Sequence, residues 1–153
     1  MGSRFEALAR AAGRDRDASR VIVGVLRAAS GVGQALERAL EAAGLTLPQF
    51  NVLMELATGP PDGLSLNQLS ERLVGSPPST SWLTTRMRES GLVTKRRHAR
   101  DGRVVLIALA EPGWAALERA LPLVSAAEAE LLAGHDRVEL ARMARLLGDL
   151  SGP

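Results

Sequence analysis

The chain of 153 residues has no cysteine, which excludes disulfides, thiolate metal sites, thiol nucleophiles and cysteine-based oxidant sensing. Aromatic residues are almost as scarce, with two Trp, two Phe and no Tyr. A core with so few rings must be aliphatic, built from Leu, Val and Ala, and such cores favour helices. Only two histidines are present, His98 in an expected turn and His135 between two expected helices. No base therefore stands beside an orienting acid, and no cluster suggests a metal site, so neither an enzyme nor a bound cofactor is expected. No stretch approaches the roughly 18 apolar residues of a membrane span. The amino terminus, Met1-Gly2-Ser3-Arg4-Phe5, lacks the apolar run of a secretory signal, so a cytoplasmic bacterial location without a membrane partner is expected.

Lysine is nearly missing too, with one Lys against 18 Arg, yet the net charge is only +2. The distribution says more than the sum. Between Arg86 and Arg103 seven bases face two acids, leaving twelve bases against fifteen acids elsewhere. One basic segment on an otherwise slightly acidic chain points to an anionic partner at one place. The length suits one domain, or a compact domain with helical extensions that need a partner, and excludes a multidomain enzyme.

From Asp17 to Ala43, Val21, Val25, Val32, Leu36 and Leu40 recur at helical spacing up to Gly44, predicting an amphipathic helix of roughly 40 Å. A small domain cannot bury so long a stripe alone. Ser30-Gly31-Val32-Gly33 within it reads as a site of close helix packing in preference to a ligand niche. Two short helices, near 47–57 and 66–73, are announced by capping boxes, Thr46-Leu47-Pro48-Gln49 and Ser65-Leu66-Asn67-Gln68. Each has a staple, Leu45 with Phe50 and Leu64 with Leu69. Gly59-Pro60-Pro61-Asp62-Gly63 separates them with a turn no helix crosses. Ser76 can cap a third helix, about 77–90, with prolines 77 and 78 in its first turn. Its inward stripe is Leu83 and Met87 flanked by Thr80 and Thr84, which leaves Ser79, Ser81, Trp82, Thr85, Arg86 and Glu89 on or near the outward face.

The period then changes to two. Leu92 to Arg97 and Arg103 to Leu109 read as strands joined through the Asp101-Gly102 turn, a β-hairpin with basic roots and a basic tip. Pro112 opens another long helix with Trp114, Leu117, Leu121, Val124 and Leu131 on its apolar side and a kink expected at Pro122. The last helix, starting near Asp136, has Val138, Ala141, Leu147 and Leu150 on its apolar edge.

This order is that of a mainly α fold with a small β-hairpin wing, a winged helix-turn-helix flanked by long helices. The major groove of DNA admits one helix while a two-stranded ribbon reaches the neighbouring minor groove and its phosphates. The candidate DNA-binding residues are Ser76, Ser79, Thr80, Ser81, Trp82, Thr85 and Arg86 on or before the third helix, and Arg96, Arg100, Asp101 and Arg103 in the hairpin. Ser79, Ser81 and Thr85 offer short donors and acceptors, and Arg86 can reach guanine bidentately. Arg100 and Arg103 can enter the minor groove or pair with phosphate, with Asp101 orienting the guanidinium. Trp82 is either a groove contact or a packing residue against the hairpin. The rival reading is a winged helix used for protein contact.

The run from Leu45 to Leu117 resembles the MarR family of bacterial transcriptional regulators. The resemblance is carried by Leu45-Thr46-Leu47-Pro48-Gln49-Phe50, Leu66 to Leu73, Pro78-Ser79-Thr80-Ser81, Glu89-Ser90-Gly91-Leu92-Val93, Arg96-Arg97, Asp101-Gly102-Arg103 and Leu109-Ala110-Glu111-Pro112-Gly113. It implies a homodimer joined by its terminal helices, binding a palindromic operator in double-stranded DNA, and a repressor released by a small ligand of phenolic type. The implied divisions are a dimerisation helix over 1–44, with a short arm at 1–16, a DNA-binding domain over 45–110 and dimerisation helices over 111–153. A ligand would be bordered by the first, second and fifth helices. Gly102 stands where the family often has an arginine, Ala110 where it has a capping Thr, and Asn51 where its urate-responsive branch has Asp, which argues against urate.

Overall fold

The computed structural model describes residues 8, 11–13, 15–73, 77–97 and 104–150. It divides into two compact units, residues 1–35 and 36–153. Six long or short helices and three strands are described: α1 (Arg16–Glu41), α2 (Leu47–Thr58), β1 (Leu64–Ser65), α3 (Leu66–Arg72), α4 (Pro77–Glu89), β2 (Val93–Arg97), β3 (Val105–Leu109), α5 (Glu111–Leu131) and α6 (Arg137–Leu150).

Local chemistry sets the helix boundaries. Asp15 Oδ1 accepts the backbone amides of Asp17 and Ala18 at 2.7 and 3.2 Å, satisfying donors that the first turn of α1 leaves open. Both capping boxes form: Gln49 N–H donates to Thr46 Oγ1 while Thr46 N–H donates to Gln49 Oε1, and Ser65 and Gln68 repeat the exchange. The four staple residues are buried: Leu45, Phe50, Leu64 and Leu69. Two helices also end alike. Gly44 and Gly91 take φ of +70° and +77°, and the following amides, of Leu45 and Leu92, donate back to the carbonyls of Leu40 and Met87. This is the Schellman closure, which needs a residue without Cβ in the left-handed region.

In the second unit a three-stranded antiparallel sheet has the order β1-β3-β2. β1, with Leu64 opposite Ile107, adds a strand that the sequence reading had taken only as a helix start. β2 lies opposite β3 from Val93–Leu109 to Arg97–Val105. A Cβ on Gly63 would overlap the Ile107 backbone, so this glycine admits β3 beside the turn. The core behind the sheet is aliphatic, as the scarcity of rings requires: Leu40, Val52, Leu53, Leu64, Leu69, Met87, Val93 and Ile107 are almost wholly buried, with Phe50 the one ring among them.

The face of α5 differs from expectation. Gly113, Ala116, Leu117, Ala120 and Val124 are buried, whereas Trp114, Leu121 and Leu131 stay about 40% exposed. Small residues let α5 approach its neighbours, and a larger Trp114 face would not fit there. Pro122 lies within α5, which continues to Leu131. Ala110 starts α5 without a side-chain cap. On α1, Val21, Ile22, Leu26 and Val32 are exposed, and on α6 Val138, Leu146, Leu147 and Leu150 are exposed. No residue of α6 is buried.

Candidate nucleic-acid interface

Three stripes run along α4. The first, Thr80, Thr84 and Met87, is buried at 4, 0 and 0% exposure. Thr80 thus lies on the inward stripe as its spacing predicts, and its burial is at odds with its place among the DNA-binding candidates. The second stripe is Ser81, Thr85 and Arg88, and the third is Trp82, Arg86 and Glu89, each spaced i, i+4, i+7. Ser79 is exposed one turn earlier.

The third stripe is held together from within. Trp82 is 66% exposed, and the Arg86 guanidinium carbon lies 5.8 Å from its ring centroid, within cation–π range. Arg86 Nη1 also pairs with Glu89 Oε2 at 3.2 Å. The indole thus keeps most of its surface open, with the Arg86 guanidinium held along α4 between it and Glu89.

The second stripe faces the sheet. Thr85 Oγ1 donates to the Ser81 carbonyl at 2.9 Å and accepts from Lys95 Nζ at 3.2 Å. Thr85 consequently works as a link to β2, since its one hydrogen is already spent. Burial, and secondarily the nearby Arg88 guanidinium, hold the Lys95 ammonium below its ordinary pKa. Lys95 and Arg88 were not among the sequence candidates. The signal for Lys95 was the alternation of β2: Val93 is buried, so Lys95 two residues on shares its face.

Arg96 is on the opposite face of β2 and is otherwise engaged. Its Nη2 donates to the carbonyl of Asp62 at 3.0 Å and to Asp62 Oδ1 at 2.6 Å. Because β3 lies between β1 and β2, this clasp ties the turn before β1 to the far edge strand. Ser76, Arg100, Asp101 and Arg103 lie outside the described residues. The described candidates that come together on one surface are Ser79, Ser81, Trp82, Thr85 and Arg86, joined by Arg88 and Lys95.

A hollow of about 240 Å³ is lined by Leu56, Ala57, Pro60, Pro61, Leu109 and Trp114 among others. No described helix is long and apolar enough to cross a membrane.

A family model described as "MarR family" matches residues 43–104. An HTH-type transcriptional repressor of Mycobacterium bovis is 32% identical over 113 residues, which cover 72% of this chain and 80% of that protein. An uncharacterized HTH-type transcriptional regulator of Bacillus cereus is 36% identical over 78 residues, 51% of this chain, and the match spans only 50% of that relative's length. Among solved structures, CouR from Rhodococcus jostii RHA1, bound to p-coumaroyl-CoA, superposes with a TM-score of 0.77 at 25% identity, covering 86% of this chain and 92% of that one.

Proposed function

From the premise that this chain belongs to the MarR family of transcriptional regulators, we propose that it acts as a homodimer binding a palindromic operator in double-stranded DNA, as a repressor released by a small organic ligand. The observation that carries this is the surface of α4, where Trp82 and Arg86 stand exposed and mutually braced beside the basic strand β2. An exposed guanidinium exchanging Glu89 for a base edge suits bidentate contact with guanine, and the hairpin expected beyond β2, with Arg100, Asp101 and Arg103, would follow the adjacent backbone. The exposed leucines and valines of α1 and α6 support dimerisation through the terminal helices, since apolar faces of this kind are rarely left to water. In a two-fold dimer the two α4 helices must sit roughly 34 Å apart, one DNA turn. A ligand of phenolic or aromatic acyl type is supported by CouR, whose structure holds p-coumaroyl-CoA.

The test is binding of the purified protein to the DNA upstream of its own gene, against random duplex, across a salt series. Tight, salt-sensitive binding that prefers a palindrome is expected. The exposed Trp82 favours one rival, a protein-contact module, and absence of any sequence preference would move the assignment to it.

A further inference from the structure

We propose that Lys95 and Arg88 form a seat for a DNA backbone phosphate at the elbow between α4 and β2. The inference rests on the DNA-binding reading and deepens it by assigning a backbone contact to two residues outside the outward stripe of α4.

The geometry begins with the strand. Alternation carries Lys95 to the α4 side of the sheet, where its ammonium donates to Thr85 Oγ1 at 3.2 Å. Thr85 is itself anchored to the Ser81 carbonyl, so the hydroxyl is a fixed acceptor that uses one of the three ammonium donors and leaves two. Arg88 is exposed and follows Thr85 by three positions, on the same helical face. The two cations therefore lie near one another, and the Arg88 guanidinium adds to burial in lowering the Lys95 pKa.

Their neighbours are treated differently. Arg86 is paired with Glu89, and Arg96 with Asp62. Among the described residues no acid forms an ion pair with Arg88 or Lys95. Two adjacent cations without an acid, one exposed and the other partly desolvated and placed by a hydrogen bond, are stabilised by an anion between them. A phosphodiester fits this need, having one negative charge and two free oxygens, one for a guanidinium N–H and one for the ammonium. The place is also suitable, because it joins α4, offered to the groove, to β2, the strand that leads toward the expected hairpin.

The experiment measures affinity of the full chain for two duplexes of about 30 bp, one from upstream of its own gene and one random, between 50 and 200 mM salt. The variants are Arg88→Gln, Lys95→Gln and Lys95→Arg. Each loss of charge is expected to lower the slope of log affinity against log salt by about 0.9. The fourfold rise in salt then weakens binding about 3.5-fold less than in the parent protein, equally on both duplexes, while Lys95→Arg keeps the slope. Arg88 is on the surface, so Arg88→Gln reports on charge without disturbing the core. Unchanged slopes in both glutamine variants, with the parent protein binding normally, would overturn the seat. Failure of the parent protein to bind either duplex would instead overturn the DNA-binding reading beneath it.

Discussion

Substituting Gly113 by alanine tests how closely α5 is seated. The added Cβ would overlap the carbonyl oxygen of Leu92 and come within 3.1 Å of Leu109 Cδ2. The carbonyl cannot simply retreat, because it accepts the Ala110 amide at 3.1 Å, a bond that joins the end of β3 to the start of β2. Alanine gains about 1 kcal/mol of helix propensity over glycine. Against this stand an overpacking cost of about 1–3 kcal/mol and, if the carbonyl turns away, about 1 kcal/mol for the lost hydrogen bond. With both costs set against the propensity gain, the expected net effect is a destabilisation of about 1–3 kcal/mol. For a chain of this size each kcal/mol lowers Tm by roughly 2–4 °C, so calorimetry at fixed protein concentration should show a fall of several degrees. A Tm equal to or above that of the parent protein would refute the close approach of α5 to β2.

Ala110→Ser supplies the cap that α5 lacks; the extended backbone there, φ −92° and ψ 165°, suits a capping hydroxyl, and urea unfolding should show a gain of about 1 kcal/mol. Arg96→Gln opens the clasp on Asp62 and should weaken DNA binding with an unchanged salt slope, because the guanidinium holds protein and not phosphate; a slope reduced by about 0.9 would return Arg96 to the DNA contacts. The Lys95 ammonium is faced by Thr85 and Arg88 of α4 and by Ile107 across the sheet, and its free-state pKa is lowered from 10.5. A phosphate would favour the charged form, so affinity should fall as pH rises through that lowered value, with proton uptake on binding at pH above it. Lys95→Arg should make this alkaline limb flat, and a limb unchanged in that variant would dissociate it from Lys95.

Much of the fold was legible because its boundaries are written in short-range chemistry. Thr46, Gln49, Ser65 and Gln68 act within four residues, and Gly44 and Gly91 end their helices by conformational necessity, so each could be read locally. The fold class and family were legible for the same reason. What escaped depends on partners distant in the chain. β1 is only two residues long and exists because β3 returns beside it. The exposure of Trp114 follows from which side of a helix meets a neighbour, a choice that periodicity narrows without settling. The ion pair of Arg96 was not legible because its acid, Asp62, lies 34 residues away. Lys95 was concealed inside a basic run whose members point to opposite faces of one strand.

The strand order has a consequence for the ribosome. β3 is the central strand and also the last of the three to be made, so β1 and β2 have nothing to pair with until residues 105–109 emerge. About 40 residues separate β1 from its partner, roughly 2–8 s of synthesis at 5–20 residues per second. During that interval α2, α3 and α4 can form from their own start signals, but the Asp62–Arg96 clasp has no strand to bridge. The nascent chain therefore exposes a helical lobe first and acquires its wing in a single late step, when β3 closes the sheet from the middle.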